Sequence, residues 1–302
     1  MSAASGTEAR IAVIGAGGFV GSRLSERLLG DGFSVLRFTR EQPAVDAEGT
    51  LHPGLRAAGL VFHLASSLTP AVAERRPDLV AADHQAFVRL LDGLAACRRP
   101  PLLVLAGSAS TVCESGPSAP LTEEAPTLPH SAYAKAKLAL EQELHARGPE
   151  LPYVITRFTN LYGPGHPLRP GHGVIMHWFD AVAQGRPLRL YGPPEAERDY
   201  VFVDDAIDAL LRFVPEAASK LPHRLFHIGS GQATSLDALL AAVLKVTGAD
   251  LPVERYPGRD VDFSTVLLDV RRARSVLGWR AHTPLESGLA STWQWFRTTA
   301  AR

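Results

Sequence analysis

Cysteine is nearly absent: the 302 residues contain two, Cys97 and Cys113. Their spacing suits neither a disulfide framework nor a paired metal-ligand motif, so both are expected to be free thiols in a reducing compartment. Net charge is lacking as well, since 31 Lys and Arg balance 31 Asp and Glu. That balance leaves no electrostatic footprint for nucleic acid or an anionic membrane. No apolar run approaches the length of a bilayer span; Gly59 to Ala65 and Leu102 to Ala106 have the length of buried strands. The opening MSAASGTEAR has neither a basic start nor an apolar stretch, so it reads as a loose terminus, and a cytoplasmic location is the expectation. His166, His172 and His177 lack zinc-site spacing and a Cys or acidic companion, so no metal is expected. Repeats and low-complexity tracts are missing too. What remains is an ordinary globular composition, 46% hydrophobic and 21% charged, in a chain long enough for one larger and one smaller domain.

Apolar β-type runs alternate with helical patterns through the first half. The runs are IAVIG at 11–15, FSVLRF at 33–38, LVFHLA at 60–65, LLVLAG at 102–107 and YVITRF at 153–158. Between them, residues 18–29, 79–97 and 131–147 repeat apolar positions at helical spacing. Such alternation predicts an α/β fold with a doubly wound parallel sheet of Rossmann type. After Tyr162 the texture becomes Gly- and Pro-rich, in GPGHPLRPGHG and YGPPEAERD. The expected division is a dinucleotide-binding domain over 1–165 with returning segments near 199–228. A smaller, mainly substrate-binding α/β domain is expected over 166–302.

Directly after the first strand stands Gly15-Ala16-Gly17-Gly18-Phe19-Val20-Gly21, with glycines at 15, 18 and 21 opening a helix. A backbone that must approach a pyrophosphate needs residues without side chains, and the helix N-terminus supplies N–H groups to hold it. Gly15, Gly18, Phe19, Val20 and Gly21 are therefore candidate cofactor-binding residues. At the end of the second strand a carboxylate would mark NAD, whereas this chain reads Phe38-Thr39-Arg40. Arg40 suits the extra phosphate of NADP, so NADP is favoured over NAD, with Thr39 and Arg40 lining that corner. The neighbouring Glu41 keeps NAD open.

Tyr133 and Lys137 lie four residues apart, on one face of the helix predicted from 131. Hydride transfer at a carbonyl needs a proton donor or acceptor at the oxygen, and a phenol serves when a nearby cation lowers its ordinary value near 10. Lys137 supplies that cation. The fourth strand ends in Ala106-Gly107-Ser108-Ala109-Ser110-Thr111. Of these, Ser108 is chosen to hydrogen-bond the reacting oxygen and Ser110 is held in reserve.

In the order of these motifs the chain resembles the extended short-chain dehydrogenases/reductases, the group of nucleotide-sugar epimerases, 4,6-dehydratases and 4-ketoreductases. The resemblance spans nearly the full length. It includes Phe62-His63-Leu64-Ala65-Ser66, similar to a cofactor-lining loop, which implies cofactor contacts for Leu64, Ala65 and Ser66. It continues through Arg157-Phe158-Thr159-Asn160-Leu161-Tyr162-Gly163-Pro164 and Arg198-Asp199-Tyr200-Val201-Phe202-Val203-Asp204-Asp205 to Gly258-Arg259 and Leu277-Gly278-Trp279. The resemblance implies that Asn160, Arg198 and Arg259 contact a nucleotide diphosphate; the alternative for Arg198 is a surface ion pair with Asp199. It also implies a homodimer through the helices at 79–97 and 131–147, with Leu90, Leu91 and Leu138 outermost.

Two departures from the family's pattern matter. Val112-Cys113-Glu114 stands where the family commonly has Val-Tyr-Gly, a register that would place Ala109 at the catalytic hydroxyl. The Asp-Glu pair of the dehydratases is missing, which disfavours dehydration. The expected activity is reduction of a keto group, at C4, of a nucleotide-activated deoxyhexose. Its alternatives are a nucleotide-sugar 4-epimerase retaining NAD and a silent NADP-binding relative. Trp293, Trp295 and Phe296 are expected to anchor the last helix, and His63 to be a satisfied core histidine.

Overall fold

The computed structural model describes residues 10–108, 120–170, 173–214, 221–258 and 265–300. The first strand, β1 (Arg10–Ile14), is buried at its last four positions and runs through the glycine turn into α1 (Phe19–Gly30). Then follow β2 (Val35–Phe38), β3 (Ala58–His63), the short α2 (Pro70–Arg75) and α3 (Pro77–Ala95). The half closes with β4 (Leu102–Ser108), α4 (Ala132–Ala146) and β5 (Tyr153–Phe158). The β2 strand is shorter than its apolar run suggested: Phe33 is exposed and lies ahead of it.

The remaining elements are β6 (Asn160–Tyr162), α5 (Val174–Ala183), β7 (Leu188–Tyr191), β8 (Glu197–Phe202) and α6 (Val203–Leu211). They continue with β9 (Leu225–Ile228), β10 (Ala233–Ser235), α7 (Leu236–Thr247) and β11 (Val253–Tyr256). The last are β12 (Thr265–Val266), α8 (Arg271–Leu277) and α9 (Leu285–Ala300). No helix among the described residues is long and apolar enough to cross a membrane.

Six strands form one parallel sheet in the order β2-β1-β3-β4-β5-β9. Both of its faces are covered, which is why its strands read as continuous apolar runs. On one face Ile11, Val13, Leu60 and Phe62 pack with Leu24 and Leu28 of α1, Leu210 of α6 and Leu277 of α8. On the other, Ala12, Ile14, Val61, Leu103 and Ile155 meet α3 and α4. Phe87, Leu90, Leu91 and Leu94 recur at i, i+3, i+4 and i+7 and are the inward stripe of α3. Leu90 and Leu91 are therefore core residues and not the outer contacts expected of them; Leu138 is half-buried.

A further core gathers Tyr162, Trp178, Phe179, Phe202, Leu239, Val243, Leu289 and Phe296. Trp293 stacks on Phe296 and lies 5.2 Å from Phe179, so the C-terminal aromatics do anchor α9. The chain leaves β1 for β2 on one side and returns to β3 on the other. In an open α/β sheet this reversal leaves a crevice beyond the carboxyl ends of the strands, where ligands bind.

Candidate active site

At that crevice Gly15 has φ +91°, a conformation that glycine adopts without strain. A Cβ on Gly15 would stand 2.7 Å from the Ala65 nitrogen, and one on Gly21 would collide with the Gly15 carbonyl oxygen. The turn is thus pressed against both the loop after β3 and the first turn of its own helix. Gly18 donates to Gly15 O at 2.9 Å. No side chain caps α1, so Phe19, Val20 and Gly21 present a helix N-terminus to the crevice, as an anion site requires. These residues fit the diphosphate of a dinucleotide.

Leu64 and Ala65 line the same wall, and Ser66 lies beside them in a turn built on Asp83 of α3. Asp83 accepts from Ser66 Oγ at 3.4 Å, from Ser67 N at 3.0 Å and from Ser67 Oγ at 2.5 Å. At the end of β2, Thr39 Oγ1 donates to Glu41 at 2.7 Å, and that bond first, then a backbone hydrogen bond and the Arg40 charge, hold the carboxyl below its ordinary range. Arg40 beside it is exposed. The rim of this corner therefore carries a charge of each sign.

Ser108 stands at the carboxyl end of β4, and Tyr133 and Lys137 lie on α4, the helix that follows it. Ser131 caps α4 by accepting from Ala134 N at 3.1 Å, and Glu74 of α2 accepts from Ala132 N at 2.8 Å. This start places Tyr133 and Lys137 on one face, with the Lys137 ammonium 5.7 Å from the centre of the Tyr133 ring. Lys137 is 8% exposed. Ser108 ends β4 opposite Phe158.

His63 ends β3 between Ile14 and Leu105 and packs edge-on against Phe87 at 4.8 Å. Burial first, then the nearby Lys137 charge, pushes it down to about 4, so it is neutral. Its Nδ1 is buried with no hydrogen-bond partner among the described residues. The expectation of a satisfied core histidine is corrected: the strand's apolar environment seals the ring in, and Lys137 denies it a proton.

On the opposite side Asn160 Nδ2 donates to the Asp199 carbonyl oxygen at 2.9 Å, between the paired strands β6 and β8. Arg198 is half-buried on β8 and donates to Glu197 O at 2.8 Å. The surface-pair alternative for Arg198 and Asp199 fails, because Asp199 is fully buried. Its carboxylate accepts from Ser230 N, Ser230 Oγ and Gly231 N at 2.6–2.9 Å. Side chains alternate across a strand, so these neighbours face opposite ways. His177 Nε2 donates to Arg169 O, 2.8 Å away, and His166 is buried edge-on to Phe19 at 4.9 Å. Ser110, Cys113, His172 and Arg259 lie outside the described residues.

With this geometry, comparison with known proteins is informative. The sequence profile of the NAD dependent epimerase/dehydratase family matches residues 11–229. The chain belongs to that family. It is 30% identical to a UDP-glucose 4-epimerase of Mycolicibacterium smegmatis over 95% of this chain and 98% of the relative. It is also 30% identical to dTDP-6-deoxy-L-talose 4-dehydrogenase (NAD(P)(+)) of Kitasatospora kifunensis, over 94% and 95%. Among solved structures, the UDP-glucose 4-epimerase of Thermus thermophilus in complex with NAD superimposes with a TM-score of 0.82. That pair is 25% identical, and the match covers 95% of this chain and 99% of the other.

Within this family member, several site-building residues escaped sequence reasoning. Asp83 stands 17 positions beyond the loop it organises, and Glu74 is 58 positions from Ala132. Neither spacing has a local signature. Glu141 did have one, as the residue one turn beyond Lys137. Its partner Arg157 accounts for the rest: Nε donates at 3.1 and 3.2 Å and Nη2 at 2.6 Å to the Glu141 carboxylate, with the side chains 4% and 1% exposed.

Proposed function

We propose that this enzyme moves hydride between a nicotinamide cofactor and C4 of a nucleoside-diphosphate hexose, inverting C4 as a 4-epimerase. The observation that carries the reading is the buried Lys137 ammonium over the Tyr133 ring, on the helix that follows the β4 end bearing Ser108, in a fold whose β1 opens into a tight glycine turn. A nicotinamide cofactor held by the turn of Gly15, Gly18 and Gly21 would supply reversible hydride-accepting chemistry. Tyr133 takes the proton from the C4 hydroxyl and later gives it back, and Ser108 hydrogen-bonds that oxygen. The Lys137 ammonium supports the charge on the phenol. Asn160, Arg198 and Arg259 hold the nucleotide diphosphate, so that binding energy positions the sugar. The Tyr191–Tyr256 stack, 5.1 Å between centroids and exposed ahead of Arg259, offers a platform for the base.

NAD is favoured in this reading by Glu41, held at the ribose corner by Thr39, because a carboxylate repels a ribose phosphate. The second reading is a 4-ketoreductase exchanging NADP(H), and exposed Arg40 favours it. The two part on one experiment: freshly purified protein is denatured, released nucleotide is assayed, and the enzyme is incubated with UDP-glucose under NMR. Retained NAD with C4 inversion and no added cofactor supports epimerisation. Exchangeable binding that prefers NADPH, and loses that preference in Arg40→Asp, overturns it in favour of the reductase.

The same reading assigns the dinucleotide to residues 1–165 with α6 and β9, and the sugar nucleotide to the remainder. Homodimerisation through the outer faces of α3 and α4 is part of it, and light scattering of the purified protein tests that part.

A further inference from the structure

Glu141 follows Lys137 by four residues on α4, the spacing at which a lysine and a glutamate on one helix face pair with each other. Such a pair would be harmful here. A carboxylate against the Lys137 ammonium would offset the positive charge that Tyr133 needs, and a buried site screens little of that effect. Among the described residues Lys137 forms no ion pair, although it is almost fully buried. The Glu141 carboxylate is turned away to β5, where both its oxygens are taken by Arg157. Gly107 makes room for this, since a Cβ there would stand 3.0 Å from Glu141 Oε1.

We propose that Arg157 insulates the catalytic pair: by occupying both oxygens of Glu141 it leaves the Lys137 ammonium to act on Tyr133 alone. Arg157 is thus a positioning residue that acts through Glu141 and Lys137. The proposal rests on Tyr133 and Lys137 being the proton-transfer pair.

The other ionisable groups around the pair are already committed. From α3, Asp83 is spent on Ser66 and Ser67; from α2, Glu74 is spent on Ala132 N. His63 of β3 is neutral. His227 of β9, beside Arg157, is kept neutral at about 4 by burial and then by the Arg157 charge. Glu141 is therefore the one anion of α4 placed to reach Lys137 if released. Stability alone does not explain the ion pair, because a buried pair exchanged for apolar side chains is often neutral or stabilising.

The test is the titration of Tyr133 in the cofactor-free protein, read by NMR of ring-labelled tyrosine, with the Tyr133 signal assigned by its loss in Tyr133→Phe. In Arg157→Met the freed Glu141 turns to Lys137, and the Tyr133 signal titrates higher than in the wild type by about one pH unit. In Glu141→Gln the unpaired Arg157 adds positive charge, and the signal moves the other way. In the double variant Glu141→Leu/Arg157→Met it returns to within a few tenths of wild type, and turnover is restored relative to Arg157→Met.

A pair that serves only as a structural strap gives no recovery of turnover when the second substitution is added, so shifts of one sign, or no rescue in a folded double variant, overturn the proposal. Should either single variant fail to fold, the double variant and wild type still decide: the double must fold and keep the wild-type titration. Turnover surviving in Tyr133→Phe would instead defeat the assignment of the catalytic pair, whatever the titrations show.

Discussion

Tyr133 is half-buried and reaches the crevice from the first turn of a helix, one turn before a buried cation. In the proposed function its hydroxyl transfers protons. Tyr133→Phe is expected to lower turnover by about 10²- to 10⁴-fold while cofactor affinity, measured by NADH fluorescence, stays within about twofold. A variant with near-normal turnover would remove Tyr133 from the mechanism. Glycines 15 and 21 carry the opposite expectation. Gly21→Ala puts a methyl group into the Gly15 carbonyl and Gly15→Ala puts one against Ala65, so both should abolish cofactor binding in a calorimetric titration before any effect on the sugar nucleotide is seen. Retained binding in Gly21→Ala would mean that the turn has room it does not show.

At the scale of elements, the site is a set of loops held by helices that the chain supplies from elsewhere. Asp83 of α3 satisfies one backbone N–H and two hydroxyls in the loop that follows β3. That loop also abuts Gly15. Asp83→Ala is expected to leave α3 intact, because its stripe of Phe87, Leu90, Leu91 and Leu94 stays buried. Losing hydrogen bonds to a charged group should loosen residues 66–68 and weaken cofactor binding by about tenfold, or roughly 1.4 kcal/mol. Dissociation constants for the nucleotide from wild type and variant check this, and equal constants would assign Asp83 a purely local role. The same scale explains the sequence expectations that failed. Leu90 and Leu91 look alike on either face until the sheet is known, and packing against Val61 and Leu103 decided the matter.

For the whole molecule, two buried imidazoles tie stability to pH. His63 and His227 are held at about 4 against an ordinary value of 6.5, chiefly by burial and then by the Lys137 and Arg157 charges. Unfolding exposes both rings, which then bind protons between those values. The unfolded state holds more protons in that window, so stability rises with pH across it and is lost as pH falls from about 6.5 toward 4. Each ring contributes a slope of up to about 1.4 kcal/mol per pH unit. Chemical denaturation at several pH values should show this slope, and replacing His227 by Gln should reduce it by one ring's share. A slope unchanged by the substitution would place the acid sensitivity in the carboxylates.

The sequence by itself determined the parts that depend on neighbours along the chain. A glycine turn between strand and helix, a tyrosine and a lysine one helical turn apart, and apolar runs at strand length all follow from backbone geometry and periodicity. These were enough for the fold class, the tight glycine turn and the placing of Tyr133 and Lys137 on one helix face. Only the tertiary structure decided which charges meet. Asp199 turned out to be a fully buried acceptor for Ser230 and Gly231, His63 to be sealed in without a partner at Nδ1, and Arg157 of β5 to claim Glu141 of the helix packed over it. Such pairings depend on distance in space between residues far apart in sequence, and electrostatic energy in a dry interior follows that distance, to which a local pattern is blind.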